Sequence, residues 1–275
     1  MIAGRFHTTG ELIGHYALWT VTWLVLLFLI LPILVIIPLS FSSGTFLTFP
    51  LPGLSLRWYE AFLASEPWRN AVRNSFIVAI ATTLLATALG ILASLGLVRA
   101  NFPGKSLLMA LLISPMVVPL VIVAAGAYFF YAPLGLTGSL TGLIIAHTTL
   151  AVPFVIISVT STLAGFNPNL SRAGASLGAS PPRVFFDIIL PLIAPGVVSG
   201  ALFAFVTSFD EVVVALFMTG PQQRTLPRQM FDGIRENISP LITAVATLLI
   251  LLSILLMTVM ELLRRRSLRL RGIRE

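Results

Sequence analysis

An all-α polytopic membrane protein with six transmembrane helices is the architecture read from this chain, on three observations. Its 275 residues are 57% hydrophobic and only 10% charged, with a mean hydropathy of +1.00. A soluble domain of this size carries about a quarter charged residues, so the chain has too little charge to cover a water-facing surface. Second, six apolar runs reach the length of about 20 residues that a helix needs to cross the hydrocarbon core. Third, Lys and Arg are distributed unevenly between the two sides that these runs define.

The six runs are Ala17–Leu39, Ser75–Leu97, Leu107–Tyr131, Leu140–Leu163, Gly196–Met218 and Leu241–Leu263. Pro32 and Pro38, Pro115 and Pro119, and Pro153 lie inside the first, third and fourth. Packed neighbours can re-satisfy freed backbone groups, so proline does not exclude a span. Small residues recur in "ALGILASLG" (Ala88–Gly96), which suits close helix packing in lipid. The first run is too long for a signal peptide and no small-residue cleavage site follows it. Six spans put both termini on one side. That side then carries eleven of the 17 Lys and Arg residues, six of them in the C-terminal tail, which places it in the cytoplasm. The expected division is an N-terminal cytoplasmic segment over residues 1–16, a transmembrane domain over 17–263 and a basic tail over 264–275. The tail reads as a stop-transfer segment and an anchor to anionic lipid; the net charge of +7 is read as orientation and not as nucleic-acid binding.

Between the fourth and fifth runs the chain interrupts itself with "GFNPNLSRAGASLGASPPRVFFDIILPLIAPG" (Gly165–Gly196). Asn167 suits a helix cap with Pro168 in the first turn. The helix runs to about Leu177, where Gly178 supplies a left-handed stop. Ser180 caps again, Pro181 starts a second helix, and Pro191 ends it near Leu190. Ala173, Gly174, Ala175 and Ser176 give the first helix a small-residue face, while Val184, Phe185, Ile188 and Ile189 turn the second toward the bundle or bilayer. An amphipathic connector and a functional loop over residues 167–190 both fit this pattern.

Asp210 and Glu211 fall inside the fifth run. A carboxylate at the bilayer centre costs roughly 2.5–3.5 kcal/mol on insertion scales, so two in succession call for water, a partner or a task. As a continuous helix the run places Glu211 on a stripe with Ala204, Thr207, Ser208 and Ala215, and Asp210 with Phe203, Thr207, Val214 and Phe217. The functional reading is a passage wall that attracts a cation, with Asp210, Glu211, Thr207, Ser208 and Phe203 as its residues. The plainer readings are an ion pair with Arg224, Arg228 or an Arg of another subunit, or a position near the outer surface. His147, with Thr148 and Thr149, is read first as a hydrogen-bonding residue between helices and second as a proton relay. Tyr128, Phe129, Phe130 and Tyr131 suit an interfacial aromatic belt, and "SLRWYEAFLASEPW" (Ser55–Trp68) an outer amphipathic helix. There is no cysteine, no G-x-x-x-x-G-K-[ST] and no H-E-x-x-H, which leaves no ATP-hydrolysing fingerprint and no obvious metal site.

Arg172, Ala173, Gly174, Gly178, Ile188, Leu190 and Pro191 match in register the EAA loop of ABC-importer permeases, with Arg172 in place of the family's Glu and Gly174 in place of its second Ala. "SFDEVVVALFMTGP" (Ser208–Pro221), "TLPRQMF" (Thr225–Phe231) and "ISPLITAVATLLI" (Ile238–Ile250) resemble the C-type permease subunit of spermidine/putrescine importers. The resemblance implies the ABC type I importer fold. It further implies a docking helix at residues 170–180, with Arg172, Ala173, Gly174, Leu177, Gly178, Ala179, Ser180 and Pro181 gripped by a cytoplasmic ATPase. The implied partners are a second permease chain, two ATP-binding cassette subunits that hold ATP and Mg, and a periplasmic binding protein. This chain itself then binds no cofactor and catalyses no reaction. The alternative is the same architecture importing an amino-acid derivative, an opine or an oxyanion, although two carboxylates suit an anion poorly. A membrane-embedded enzyme or plain channel would have only Asp210, Glu211 and His147 to work with.

Overall fold

The computed structural model describes residues 9–236 and 238–270. They fall into two compact units, residues 9–62 with 236 and 238–252, and residues 63–235 with 253–270. Five helices are long and apolar enough to span a membrane, or up to six if one sharply bent pair counts as a single span.

In the first unit, α1 (Thr9–Ser40) starts in what was expected to be the N-terminal segment; residues 1–8 lie outside the described residues. Its large apolar side chains, Trp23, Leu27 and Phe28 among them, are exposed, as lipid-facing positions are. The loop that follows is folded back on itself. Arg57 Nη2 and Trp58 Nε1 both donate to the Gly44 carbonyl, at 2.7 and 3.2 Å, and the Ser40 and Tyr59 hydroxyls meet at 2.7 Å. These contacts hold α2 (Arg57–Ala64), the amphipathic helix expected over Ser55–Trp68. It is shorter than expected. Ser65 is extended (φ −77°, ψ 118°), and α3 (Glu66–Arg99) restarts with Pro67 in its first turn, so Trp68 belongs to α3.

The second unit is built around α6 (Leu140–Ala164), which packs against α3 on one side and α9 (Leu190–Phe209) on the other. Lipid gives helices no hydrophobic reason to associate, so close van der Waals fit has to hold them. Gly90 of α3 and Gly200 of α9 supply it: a Cβ on either would collide with Val155 of α6, and at Gly200 it would lie 2.9 Å from the Val155 Cα. Gly196 meets Thr162 and the Ser158 carbonyl in the same way. Val155, Val159, Ala86 and Ile193 fill the core between the three helices. The hydroxyls of Ser94 and Thr82 on α3 donate across to the carbonyls of Ile156 and Ile144, at 3.3 and 3.4 Å.

The third expected span, Leu107–Tyr131, is not one helix. It comprises α4 (Lys105–Ile113), a 3-10 turn at Ser114–Met116 and α5 (Leu120–Tyr131), bent by 99°. Pro115 and Pro119 each lack an amide hydrogen, and two such losses one turn apart leave the helix without the bonds that would carry it straight through.

The interrupting segment folds locally as its residues dictate. In α7 (Pro168–Ser176) the Asn167 side chain accepts from the Asn169 amide at 3.0 Å. Gly178 is left-handed at φ 82°. The Ala179 and Gly178 amides return to the carbonyls of Gly174 and Ala175 at 3.1 and 3.0 Å, which is a Schellman stop. Gly174 is buried because its bare Cα faces Ile188. Its small size therefore serves packing within the loop. The second helix departs from expectation. After α8 (Pro181–Val184) the chain makes one π-helical turn, Phe185–Ile189, and runs on into α9 without stopping at Pro191. The wider turn passes the Leu190 amide back to the Phe185 carbonyl, which makes room for the amide that Pro191 lacks. The fifth span thus begins at Pro181, not Gly196, and ends at Phe209, not Met218.

The remaining elements are α10 (Val213–Met218), α11 (Leu226–Glu236) and α12 (Pro240–Leu270). α12 takes in residues 264–270 of the expected tail; residues 271–275 lie outside the described residues.

Candidate functional site

The chain leaves helical geometry where the two carboxylates stand. α9 closes at Phe209, Asp210 forms its C-cap, and α10 opens after Val212. Val212 offers no side-chain oxygen to the orphan amides of the new helix. Glu211 does: its two carboxylate oxygens accept from the Val214 and Ala215 amides at 2.8 and 3.0 Å. A helix of six residues is not stable alone, so its ends need fixing. At the far end the Arg228 guanidinium donates to the Ala215 carbonyl at 3.1 Å and also to the carbonyl and hydroxyl of Thr219. A negative group at the first turn and a positive group at the last both suit the helix dipole.

His147 is fully buried on α6. Its Nδ1 lies 2.9 Å from the Ser208 hydroxyl, and its Nε2 lies 3.3 Å from Glu211 Oε2. It therefore touches the chain on both sides of the break. The sequence reading of His147 as an interhelical hydrogen-bonding residue matches this geometry. The alternative of an ion pair between Glu211 and Arg224 or Arg228 does not: both arginines approach Asp232 instead, at 3.4 and 3.8 Å.

Asp210 is exposed. With Glu211, Thr207 and Val206 it lines an open cleft of about 550 Å³, whose other walls are Leu150 and Phe154 of α6 and Pro115, Met116, Val118 and Leu120 at the α4–α5 bend. The two helical stripes drawn for this region do not exist, because the carboxylates sit in the break and not on a helix. Of the five residues expected to form the passage wall, Asp210, Glu211 and Thr207 reach the cleft. Phe203 stands beside it, stacked on Phe154 at 6.1 Å between ring centres. Ser208 faces away, held by His147. The walls from α6 and from the bend were missed; the two prolines four residues apart were the available signal for the second. Among the described residues no group of three His, Asp or Glu side chains is placed to hold a metal ion.

Arg228 provides a direct check on the clamp. Arg228→Ala strips the Thr219 carbonyl of its donor and leaves the Ala215 carbonyl to the Thr219 amide and hydroxyl alone, which costs about 1–3 kcal/mol for a buried group left unpaired. Thermal unfolding of the detergent-solubilised protein should begin several degrees lower. Arg228→Lys, which keeps the charge, should fall between the two.

Residues 86–269 match the family described as binding-protein-dependent transport system inner membrane component. The chain belongs to that family. It is a multi-pass permease subunit of an ABC importer, a transport component and not an enzyme, since ATP hydrolysis in such systems lies in other subunits. It is 32% identical over 238 residues to the spermidine/putrescine transport system permease protein PotC of Escherichia coli, covering 86% of this chain and 90% of that one. It is 34% identical over 231 residues to the putrescine transport system permease protein PotI of the same species, covering 81% and 82%. Among solved structures it resembles a bacterial ABC transporter involved in import of the acidic polysaccharide alginate. The TM-score is 0.73 over 95% of this chain and 99% of that one, at 14% identity, so the likeness is one of fold.

Proposed function

We propose that this permease forms half of a polyamine translocation path across the bacterial inner membrane, with the Asp210 cleft as its contribution to that path. The observation that carries the reading is an exposed carboxylate in a largely apolar cleft beside a stacked aromatic pair, Phe203 exposed and Phe154 half-buried. A diamine presents an ammonium group at each end of an alkyl chain. The ammonium exchanges its hydration for the Asp210 carboxylate and the faces of Phe154 and Phe203, while the methylenes lie against Met116, Leu150 and Val206. The likeness to permeases named for spermidine and putrescine supports the same solute class. The cleft is open on one side because a second permease chain completes it.

The asymmetry of Lys and Arg supports placing both termini and the 167–190 loop in the cytoplasm. There α7 and the turn after it meet one of two ATP-binding cassette subunits, which hold ATP and Mg. Leu177, 89% exposed, is the apolar knob of that contact, and Ala173 and Arg172 are exposed beside it. A periplasmic binding protein delivers solute from the other face.

Reconstitution with the co-encoded partners tests the reading. Asp210→Asn should lower putrescine uptake about tenfold or more, the size expected for one charge-assisted hydrogen bond. Unaltered uptake, or ATP hydrolysis stimulated by sulfate but not by putrescine, would overturn it.

A further inference from the structure

The two neighbouring carboxylates differ in everything but chemistry. Asp210 is exposed in the cleft. Glu211 is 6% exposed, and its oxygens already accept from two amides and face the His147 ring. Its capacity is committed inside the protein, and little is left for a solute. We infer that the pair divides its work: Asp210 meets the solute, while Glu211, His147 and Ser208 are positioning residues that set where Asp210 stands. This deepens the translocation reading and rests on it.

The geometry gives the reason. Asp210 lies at the end of a helix, with an irregular residue pair after it and a short helix beyond. Chain ends of this kind move freely unless something fixes both flanks. His147 fixes both. Its Nδ1 is hydrogen-bonded to Ser208, two residues before Asp210, and its Nε2 stands 3.3 Å from the carboxylate of Glu211, the residue immediately after Asp210. When Nε2 carries the proton that faces the Glu211 carboxylate, Nδ1 is the acceptor and the Ser208 hydroxyl the donor. Ser208 then donates to the imidazole, and the Glu211 carboxylate, 3.3 Å from Nε2, accepts the amides of α10 on its own account. Because α6 also supplies Leu150 and Phe154 to the cleft wall, the same helix sets the carboxylate and the apolar surface opposite it. Loss of His147 would leave the wall in place and release the carboxylate.

The arrangement is not that of a nucleophilic triad. Ser208 is buried and turned from the cleft, so no solute reaches its hydroxyl. Its bond to the imidazole is a tether.

The test uses the reconstituted importer with its binding protein, and reads putrescine taken up per ATP hydrolysed. That ratio does not depend on how much complex assembles, so a variant that merely folds less well leaves it unchanged. His147→Ala should lower the ratio about tenfold. Ser208→Ala, which removes one hydroxyl and cannot create a large void, should lower it about threefold, and Ser208→Thr should restore it. The decisive comparison is with Asp210→Asn. If His147 acts through Asp210, adding His147→Ala or Ser208→Ala to Asp210→Asn lowers the ratio no further. Multiplying effects would show that His147 acts elsewhere and would overturn the inference, as would an unchanged ratio in both Ser208→Ala and His147→Ala. If Asp210→Asn alone leaves the ratio intact, the translocation reading fails and this inference falls with it. If Asp210→Asn acts and the positioning variants do not, only the inference fails. Should His147→Ala not assemble, the Ser208 pair decides the question.

Discussion

Gly200→Val is expected to abolish accumulation of the folded permease. The substitution places a branched side chain where a single Cβ would already lie 2.9 Å from the Val155 Cα. The obstacle is backbone, so no rotamer change relieves it; α6 and α9 must separate. Overpacking a close-packed contact costs about 1–3 kcal/mol when neighbours can adjust, and here they cannot. The same separation strips van der Waals contact from Val159, Ala204 and Ile193, which share that core. In lipid nothing replaces those contacts, because tails are as apolar as the side chains they would meet. Size-exclusion profiles of a fluorescent fusion should lose the monodisperse peak. Gly96→Val is the control. A Cβ on Gly96 meets nothing within 4 Å, so that variant should elute like the parent. A normal profile for Gly200→Val would mean that α6 and α9 do not approach as described.

Gly178→Val is expected to uncouple ATP turnover from uptake without unfolding the membrane helices. Gly178 stands at φ 82°, which a β-branched residue adopts only at a cost of about 1–3 kcal/mol. The Schellman bonds to Gly174 and Ala175 hold α7 against α8, and they require that conformation. Valine would release α7 from its angle while leaving the core around Val155 untouched. Putrescine uptake per ATP hydrolysed should fall about tenfold, or the ATPase subunits should fail to co-purify. Gly178→Asn, which tolerates left-handed backbone, should retain most of the coupling. Full coupling in the valine variant would make residues 167–190 a connector and nothing more.

What could be read from the chain was what neighbouring residues decide among themselves. Asn167, Pro168, Gly178 and Pro181 are local signals for helix starts and stops, and they placed α7 and the turn after it correctly. Span length and composition located α1, α3, α6 and α12 for the same reason, since crossing a bilayer depends on a continuous run. The errors came from breaks. Pro115 and Pro119 were treated as tolerable within a span, yet two missing amide donors in one turn bent it by 99°. Pro191 was read as a stop, yet a π-turn placed just ahead of it carried the helix through. The end of α9 was invisible because its cause is tertiary. Glu211 leaves the helix to cap α10, in a place where His147, on another helix, lies 3.3 Å from its carboxylate. Periodicity assigned both carboxylates to stripes of an unbroken helix and so brought Ser208 to the passage, where the structure has it bonded to the imidazole. The cleft walls from α6 and the α4–α5 bend follow from those same two breaks.

The π-turn has a mechanical corollary. Because it passes Pro191 without a stop, residues Pro181–Phe209 form one continuous rod of 29 residues. At 1.5 Å per residue such a rod is about 40 Å long, so a tilt of about 5° at the Pro181 end swings the opposite tip sideways by about 3.5 Å. That tip carries Asp210. A lever of this length turns a push too small to break any bond at one end into a stroke wider than a water molecule at the other.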